Sequence, residues 1–236
     1  MTNQNRDEKN PQHISLKPGT LLAPVPVVLV STQGFDPETG EQRDNLTTIA
    51  WTGIVNSDPP MVSLSVRPSR LAHDFITANG RFAINLVSEE LARACDYCGV
   101  RSGRDHNKFR DLHLRSFELD SGLAGLERSP LVLDCKVSSS EELGSHTLFL
   151  AVVEDVRVRP DLLDKKGKIH MGRARLINYI HGDYYATGDM LGFFGFSVAR
   201  PEVLKRRMPT KRVNDKSSQK TDAKPPKKNQ KKRRPN

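Results

Sequence analysis

One segment constrains the fold of this chain more than any other: Asn45–Arg70, with the sequence NLTTIAWTGIVNSDPPMVSLSVRPSR. Within it, residues 62–66 (VSLSV) alternate strictly between apolar and hydroxyl side chains. Because successive side chains of a β-strand point to opposite faces, this alternation predicts a strand whose Val and Leu side chains form a core face. The serines then form the other face, which either hydrogen-bonds a ligand or contacts solvent.

Further strands are predicted along the chain by short apolar segments. The apolar segment Val25–Val30 predicts a first strand, and Asn45–Trp51 predicts a second. Two later segments rich in Val, Leu and Phe, Val132–Val137 and Thr147–Val158, predict another pair joined by the polar residues 138–145. Many short strands separated by turn residues favour a mainly β fold, an antiparallel barrel with helical excursions, over a doubly wound sheet.

Helices are predicted at only a few places. Ser69 is a plausible N-cap for a helix over residues 68–79, which an Asn-Gly pair ends. A second helix is predicted from Ser88 through Cys95, and a short one over Asp105–Leu112. The segment Leu176–Ala186, with three tyrosines, is predicted to be extended.

Charge is distributed unevenly along the chain. The 236 residues contain 37 Lys and Arg against 28 Asp and Glu, but residues 201–236 alone contain 14 basic and 3 acidic side chains. We therefore predict a disordered arm over residues 1–17, one folded domain over residues 18–200 and a disordered basic tail over residues 201–236. The tail is either a solubilising extension or a non-specific contact for nucleic acid.

The three cysteines favour a reducing compartment, since no apolar stretch typical of a secretory signal begins the sequence. No apolar run approaches the roughly 20 residues of a membrane helix, so we expect a cytoplasmic protein without membrane contact. Cys95 and Cys98 have the spacing of a dithiol redox motif, but they fall at the end of a predicted helix, where the dipole does not lower a thiol pKa. We expect a structural role for both, and for Cys135 in its strand.

Several short motifs occur in one order along the chain: Pro24–Thr32, Asn45, Thr48–Gly53, Ser57–Pro60, Gly80–Asn85, Asp96–Gly99, Ser102–Arg104, Lys108–Phe109 and Gly144–Phe149. By their order and spacing, from about Leu21 to about Ala199, the chain resembles the flavin reductase-like family with the FMN-binding split barrel. The resemblance is greatest to the flavoredoxin branch. It implies a Greek-key-like antiparallel barrel and a homodimer.

The residue types also suit a flavin, which needs hydrogen-bond partners, small residues against its ring and cations for the FMN phosphate. The family resemblance implies that residues 48–51 line the ring and ribityl chain, and that residues 65–70 and 102–104, with Lys108, contact the ribityl chain and phosphate. It also implies that Asn85 contacts the flavin and that His146 lies near the nicotinamide or the ring face. The candidate catalytic residue is His146, and the candidate cofactor-binding residues are Asn45, Thr48, Ala50, Trp51, Ser65, Arg67, Arg70, Asn85, Ser102, Gly103, Arg104 and Lys108.

Each of these residues also has an ordinary structural interpretation. Taken alone, Ser65 and Asn85 are typical of the solvent face of a strand, Trp51 of a core anchor, and Arg67 and Arg70 of surface charges. The histidines show no spacing typical of a metal site. The chain also lacks the Gly-x-Gly-x-x-Gly and Walker motifs of other nucleotide sites. The joint occurrence of the candidates in family order favours the functional interpretation.

The resemblance implies an NAD(P)H:flavin oxidoreductase. NADH or NADPH acts as a transient electron donor to FMN, which reduces a small-molecule or protein acceptor. The chain carries Ala50-Trp51 where many family members carry two serines, which leaves the nicotinamide donor open. The alternatives are a flavoredoxin-type carrier reduced by a protein donor, and a nucleic-acid-associated barrel without redox activity.

Overall fold

The computed structural model describes residues 13–36 and 39–208. The helices are α1 (Leu71–Asn79), α2 (Ala92–Val100), α3 (Lys108–Asp111) and α4 (Pro201–Arg207). The strands are β1 (Val25–Pro26), β2 (Val28–Phe35), β3 (Gln42–Ile49), β4 (Thr52–Ser57), β5 (Pro60–Val66), β6 (Arg81–Leu86), β7 (Ser116–Glu118), β8 (Ala124–Leu126), β9 (Leu131–Glu142), β10 (Thr147–Val158), β11 (Ile177–Ile180) and β12 (Asp183–Ala186). The chain divides into two compact units, residues 1–188 and 189–236.

The first unit is built on one large antiparallel sheet. Its seven strands lie in the order β3-β2-β6-β9-β10-β5-β4, and each neighbouring pair is antiparallel. The neighbours β2 and β6, and β5 and β10, are joined by long connections rather than hairpins, as in Greek-key sheets. Two smaller sheets, β1-β11-β12 and β7-β8, complete the unit. The prediction of a mainly β, antiparallel architecture with helical excursions is confirmed.

The two faces predicted for the VSLSV segment are present in β5. Val62, Leu64 and Val66 are buried in a core that β2, β6 and β10 also line. Ser63 and Ser65 lie on the opposite face and are half-buried. The period of two in the sequence therefore determined both the strand and its orientation.

Several strands begin or end at residues other than those predicted from the sequence. The predicted strand Val25–Val30 is divided between β1 and β2, and β2 continues to Phe35 because it pairs with β3 as far as Gln42. The predicted strand Asn45–Trp51 begins earlier and ends at Ile49, two residues sooner. Residues 138–142 belong to β9 rather than to a connection, since residues 139–142 pair with the first residues of β10 and Ser138 lies at a register shift.

The helix predicted over residues 68–79 is α1, with a different beginning. Its N-cap is Arg70 and not Ser69, and no side chain caps it. Gly80 ends the helix in the left-handed conformation at φ 63°, as the Asn-Gly pair predicts. The backbone N–H of Gly80 donates to the carbonyl of Ile76 at 2.8 Å.

The other two helices of the first unit also differ from their predicted bounds. The predicted helix Ser88–Cys95 begins with a 3₁₀ turn at residues 89–91 and continues as α2 to Val100. The helix predicted over Asp105–Leu112 is confined to α3, where the side chain of Asn107 accepts a hydrogen bond from the N–H of Arg110 at 3.1 Å.

The described part of the second unit is residues 189–208. It contains a 3₁₀ turn at Phe196–Val198 and the helix α4, which begins with Pro201 at its first position. The tail is predicted to be disordered from residue 201 onward, but the helix formers after the proline continue the turn that it begins. The rest of the predicted tail, residues 209–236, and residues 1–12 of the predicted arm lie outside the described residues. Over the described ranges, no helix is both long and apolar enough to cross a membrane.

Candidate functional site

A cavity of about 380 Å³ opens in the first unit, where the ends of β3 and β5 meet α2, the start of β10 and the β11–β12 hairpin. Its volume falls within the range of roughly 300–1,000 Å³ that is typical of small-molecule sites. Seven of the thirteen candidate residues line it: Thr48, Ala50, Trp51, Ser65, Arg67, Arg70 and His146.

Two strands bring hydroxyl groups to this cavity. Ser65 lies on the half-buried face of β5, and its backbone N–H donates to the carbonyl of Trp51 at 2.9 Å, which fixes the link between β3 and β4. The hydroxyl of Thr48 donates to the backbone carbonyl of Cys95 in α2. The Thr48 hydrogen is therefore used within the protein, and only its oxygen remains available to accept from a ligand.

Trp51 and His146 form an aromatic wall of the cavity. Their ring centroids are 4.4 Å apart and their planes are inclined by 41°. Trp51 is 43% exposed, so part of its ring surface can still be covered by a ligand. Burial lowers the pKa of His146, and the Arg67 guanidinium lowers it further. The imidazole is therefore neutral at pH 7 and can act as a hydrogen-bond donor or acceptor.

Two cations line the cavity in the turn between β5 and α1. The N–H of Arg70 donates to the carbonyl of Arg67 at 3.0 Å, which closes this turn. Among the described residues, no carboxylate forms an ion pair with either guanidinium. Both can therefore bind an anionic group, for which the planar guanidinium offers two parallel donors.

The β11–β12 hairpin provides a second aromatic surface. Tyr179 and Tyr184 are cross-strand partners whose ring centroids are 5.6 Å apart. The hydroxyl of Tyr184 donates to Asp96 Oδ1 at 3.4 Å. Burial raises the pKa of Tyr184 above its ordinary value, so the hydroxyl stays protonated. The cavity thus contains one carboxylate, Asp96, besides its two arginines.

Sequence reasoning missed this tyrosine pair and Asp96 as site residues. Asp96 belongs to the Asp96–Gly99 motif of the family resemblance without being a candidate site residue, and the tyrosines belong to a segment predicted only to be extended. The sequence does contain a turn signal, the pair His181-Gly182. In the structure both residues of this pair have positive φ, 47° and 106°. A two-residue turn ending in Gly is typical of a tight hairpin and would have placed Tyr179 opposite Tyr184.

Asn85 lies away from the cavity and is completely buried. Its Nδ2 donates to the carbonyl of Leu29 at 3.0 Å and to Ser31 Oγ at 2.9 Å. Its Oδ1 accepts from the N–H of Leu126 at 2.8 Å. The amide therefore joins β2, β6 and β8, and the expectation that it contacts a flavin is withdrawn.

Lys108 is also buried, with 3% of its surface exposed. Its Nζ donates to the backbone carbonyls of Leu46 at 2.7 Å and Cys98 at 2.9 Å, and so ties α2 to β3. Burial lowers the pKa of Lys108 to about 8, and the nearby Arg70 acts in the same direction. Lys108 therefore bridges two walls of the cavity without lining it, and the expected phosphate contact is withdrawn.

Four further candidates lie outside the cavity lining: Asn45, Ser102, Gly103 and Arg104. Asn45 is buried, and a Cβ on Gly103 would overlap its side-chain amide, so the loop can lie against β3 only with glycine there. Ser102 Oγ accepts from the N–H of Arg104 at 3.1 Å. Arg104 forms an exposed ion pair with Asp74 at 2.7 Å. These contacts shape the 102–104 loop.

The three cysteines are free and buried. Burial raises the pKa of Cys95 and Cys135 to about 12 and that of Cys98 to about 11, so all three remain thiols at pH 7. These positions agree with the structural role expected from the sequence. Within residues 13–36 and 39–208, no cluster of three or more His, Cys, Asp or Glu side chains is placed to hold a metal ion.

Residues 21–188, most of the first unit, match the model of the flavin reductase like domain. The chain belongs to this family. The flavoredoxin of Desulfovibrio vulgaris (Miyazaki F) superposes with a TM-score of 0.69 and 29% identity, over 77% of this chain and 97% of that one. A split-barrel protein of Shewanella frigidimarina NCIMB 400 superposes with a TM-score of 0.62 and 18% identity, over 72% of this chain and 85% of that one. The expected split barrel is confirmed.

Two curated relatives match shorter stretches. The NADH-dependent flavin reductase StyB of Pseudomonas fluorescens is 29% identical over 124 residues, which are 52% of this chain and 68% of StyB. The high molecular weight rubredoxin of Moorella thermoacetica is 29% identical over 106 residues, 44% of this chain and 45% of the rubredoxin. The match therefore spans about half to two thirds of these relatives.

Proposed function

We propose that the chain binds FMN in the cavity and acts as an oxidoreductase, passing reducing equivalents from NADH or NADPH through FMN to a small-molecule or protein acceptor. One observation carries the proposal. Within a flavin reductase fold, the Trp51–His146 wall, the Ser65 hydroxyl and two arginines that have no ion-pair partner in the described part of the chain meet in one cavity of about 380 Å³.

The residues present fit FMN by type. A flat tricyclic ring packs well against aromatic surface, and Trp51 and Tyr184 in the cavity lining provide it. Ala50 lets a ring approach the backbone closely. Arg67 and Arg70 offer the positive charge that a phosphate dianion needs. Bound FMN would supply the redox chemistry, because it accepts a hydride and releases electrons singly or in pairs.

The protein residues would position the reactants and control charge. We propose that the neutral imidazole of His146 holds a hydrogen bond to the ligand, while the aromatic walls exclude water from the ring face. Arg67 and Arg70 hold the anionic end of FMN and so fix the position of the ring at the other end of the molecule.

Two alternatives differ in the electron donor. The similarity to the NADH-dependent flavin reductase StyB supports nicotinamide as the donor, whereas the flavoredoxin similarity supports a carrier that a protein donor reduces. The test is anaerobic titration of the FMN-loaded protein with NADH and with NADPH, in which the flavin absorbance at about 450 nm is followed. Bleaching by either nucleotide supports the reductase. If neither nucleotide changes the absorbance but a reduced electron-transfer protein bleaches it, the result supports the carrier. A protein that retains no flavin refutes both alternatives.

A homodimer belongs to the same proposal. β4 is an edge strand of the large sheet, and its residues Ile54 and Val55 are 75% and 49% exposed. An exposed apolar edge strand is a surface that another chain can cover. Sedimentation velocity of the wild type and of Ile54→Lys checks this: we expect a dimer that the substitution dissociates, and a monomeric wild type would contradict it.

A further inference from the structure

The described part of the second unit, residues 189–208, lies beyond the family match at residues 21–188. We refer to it as the apolar–basic segment. Its large apolar side chains are unusually exposed: Leu191 by 86%, Phe194 by 104% and Val198 by 87%. Scattered apolar side chains are normal on protein surfaces, but these three lie within eight consecutive residues.

Basic side chains follow directly after this apolar stretch. Arg200, Lys205, Arg206 and Arg207 are all exposed, and none of them forms an ion pair with another described residue. The Arg207 guanidinium lies 4.0 Å from the ring centroid of Phe193, so cation and aromatic surface are in contact. The sequence that follows, residues 209–236, adds 11 basic and 2 acidic side chains. The segment therefore combines exposed apolar groups with unneutralised positive charge.

We propose that the apolar–basic segment docks on the surface of an anionic lipid bilayer. Apolar side chains can enter the boundary between headgroups and acyl chains, while adjacent Lys and Arg side chains are attracted to anionic headgroups. The strength of such binding depends on both the buried apolar area and the attraction to anionic lipids, and this segment offers both. The sequence-based expectation of no membrane contact considered only spanning segments and is revised here. The inference is independent of the proposed flavin chemistry.

Two other occupants fit the segment less well. Bases of single-stranded nucleic acid could stack on the exposed rings of Phe194 and Phe196, but Leu191 and Val198 are aliphatic and provide no such platform. A second copy of the chain would bring the same basic groups to the same surface, and like charges oppose that contact. An anionic bilayer satisfies both features, because its interior accepts aliphatic groups and its surface accepts cations.

The test is sedimentation of the full-length protein with vesicles of phosphatidylcholine alone or of phosphatidylcholine and phosphatidylglycerol in equal parts. The variant is Leu191→Ser with Phe194→Ser and Val198→Ser. The control removes the same number of exposed apolar side chains elsewhere: Ile14→Ser with Leu16→Ser and Leu22→Ser, residues that are 81%, 68% and 84% exposed. Equal melting temperatures establish that both variants are folded.

We expect binding to the anionic vesicles only, about tenfold weaker for the triple variant, unchanged for the control and reduced by high salt. Equal binding by wild type and triple variant would overturn the proposal, since the basic residues alone would then suffice. Absence of binding to anionic vesicles, with or without binding to a single-stranded oligonucleotide, would also overturn it. So would a dimeric wild type that the triple variant converts to a monomer, because a second copy would then cover the segment.

Discussion

Replacing Lys108 by Met tests whether this residue is the buried bridge that the structure describes. Burial lowers its pKa to about 8 in the folded protein, against an ordinary value of 10.5. Between these two pH values the unfolded chain therefore binds nearly one proton more than the folded chain. The free energy of unfolding then rises with pH, and the effect of the buried charge is fully present below pH 8 and lost as the pH passes 10.5.

The magnitude follows from the same two pKa values. One pKa unit corresponds to 1.36 kcal/mol, so Lys108 should contribute a rise in the free energy of unfolding of about 1 kcal/mol between pH 8 and pH 9. The buried thiols act in the opposite direction. Burial raises the pKa of Cys95, Cys98 and Cys135 well above their ordinary value of 9.0, so the unfolded chain loses their protons first as the pH rises. Lys108 lowers the pKa of Cys98, but that pKa is still about 11, so the folded protein keeps this thiol protonated up to pH 9 with or without Lys108. The difference between wild type and variant over this range therefore reports on Lys108.

The assay is urea denaturation of wild type and Lys108→Met, measured by circular dichroism at several pH values from 7 to 9. We expect the free energy of unfolding of the wild type to rise by about 1 kcal/mol relative to that of the variant between pH 8 and pH 9. The matched control is Lys136→Met, because Lys136 is an exposed lysine on β9, and its difference from wild type should not change with pH. A pH-independent difference for Lys108→Met would refute the description of Lys108 as a buried ammonium group.

Three further predictions concern the cavity and its surroundings. Replacing Arg67 and Arg70 by Gln should weaken the binding of FMN about tenfold or more but the binding of riboflavin much less, because only FMN carries a phosphate. Equal losses of affinity for the two flavins in calorimetry would contradict this. Asn85→Ala should lower the free energy of unfolding, measured in urea, by about 3 kcal/mol, because the side chain makes three internal hydrogen bonds. The FMN affinity of the folded protein should not change, and a changed affinity would indicate that Asn85 contacts the ligand. Trp51→Ala should raise the pKa of His146 towards 6.5 in an NMR titration by exposing the imidazole, and an unmoved pKa would show that Trp51 does not bury it.

Local patterns in the sequence predicted the parts of the fold that depend on local geometry. The alternation in residues 62–66 predicted both faces of β5, and the Asn-Gly pair predicted the end of α1 at Gly80. Long-range pairing decided what the sequence could not show. Residues 138–142 are polar and look like a loop, but they form part of β9 because β10 supplies partners for residues 139–142, with Ser138 at a register shift.

The candidate site was predicted in part for the same reason. Residue type and family order correctly place Arg67 and Arg70 at one cavity with Trp51. The same criteria also selected Asn85 and Lys108, since amides and cations are typical of binding sites. Burial and internal hydrogen bonds separate these two from the cavity, and neither property is visible in the sequence alone.

Titration calorimetry of the purified protein with FMN measures directly whether the cavity beside Trp51 is an FMN site. We expect saturable binding of one FMN per chain. We also expect a higher melting temperature, because FMN at about one hundred times its Kd adds about 2.7 kcal/mol to the free energy of unfolding. No binding heat, together with a melting temperature that saturating FMN leaves unchanged, would contradict the account.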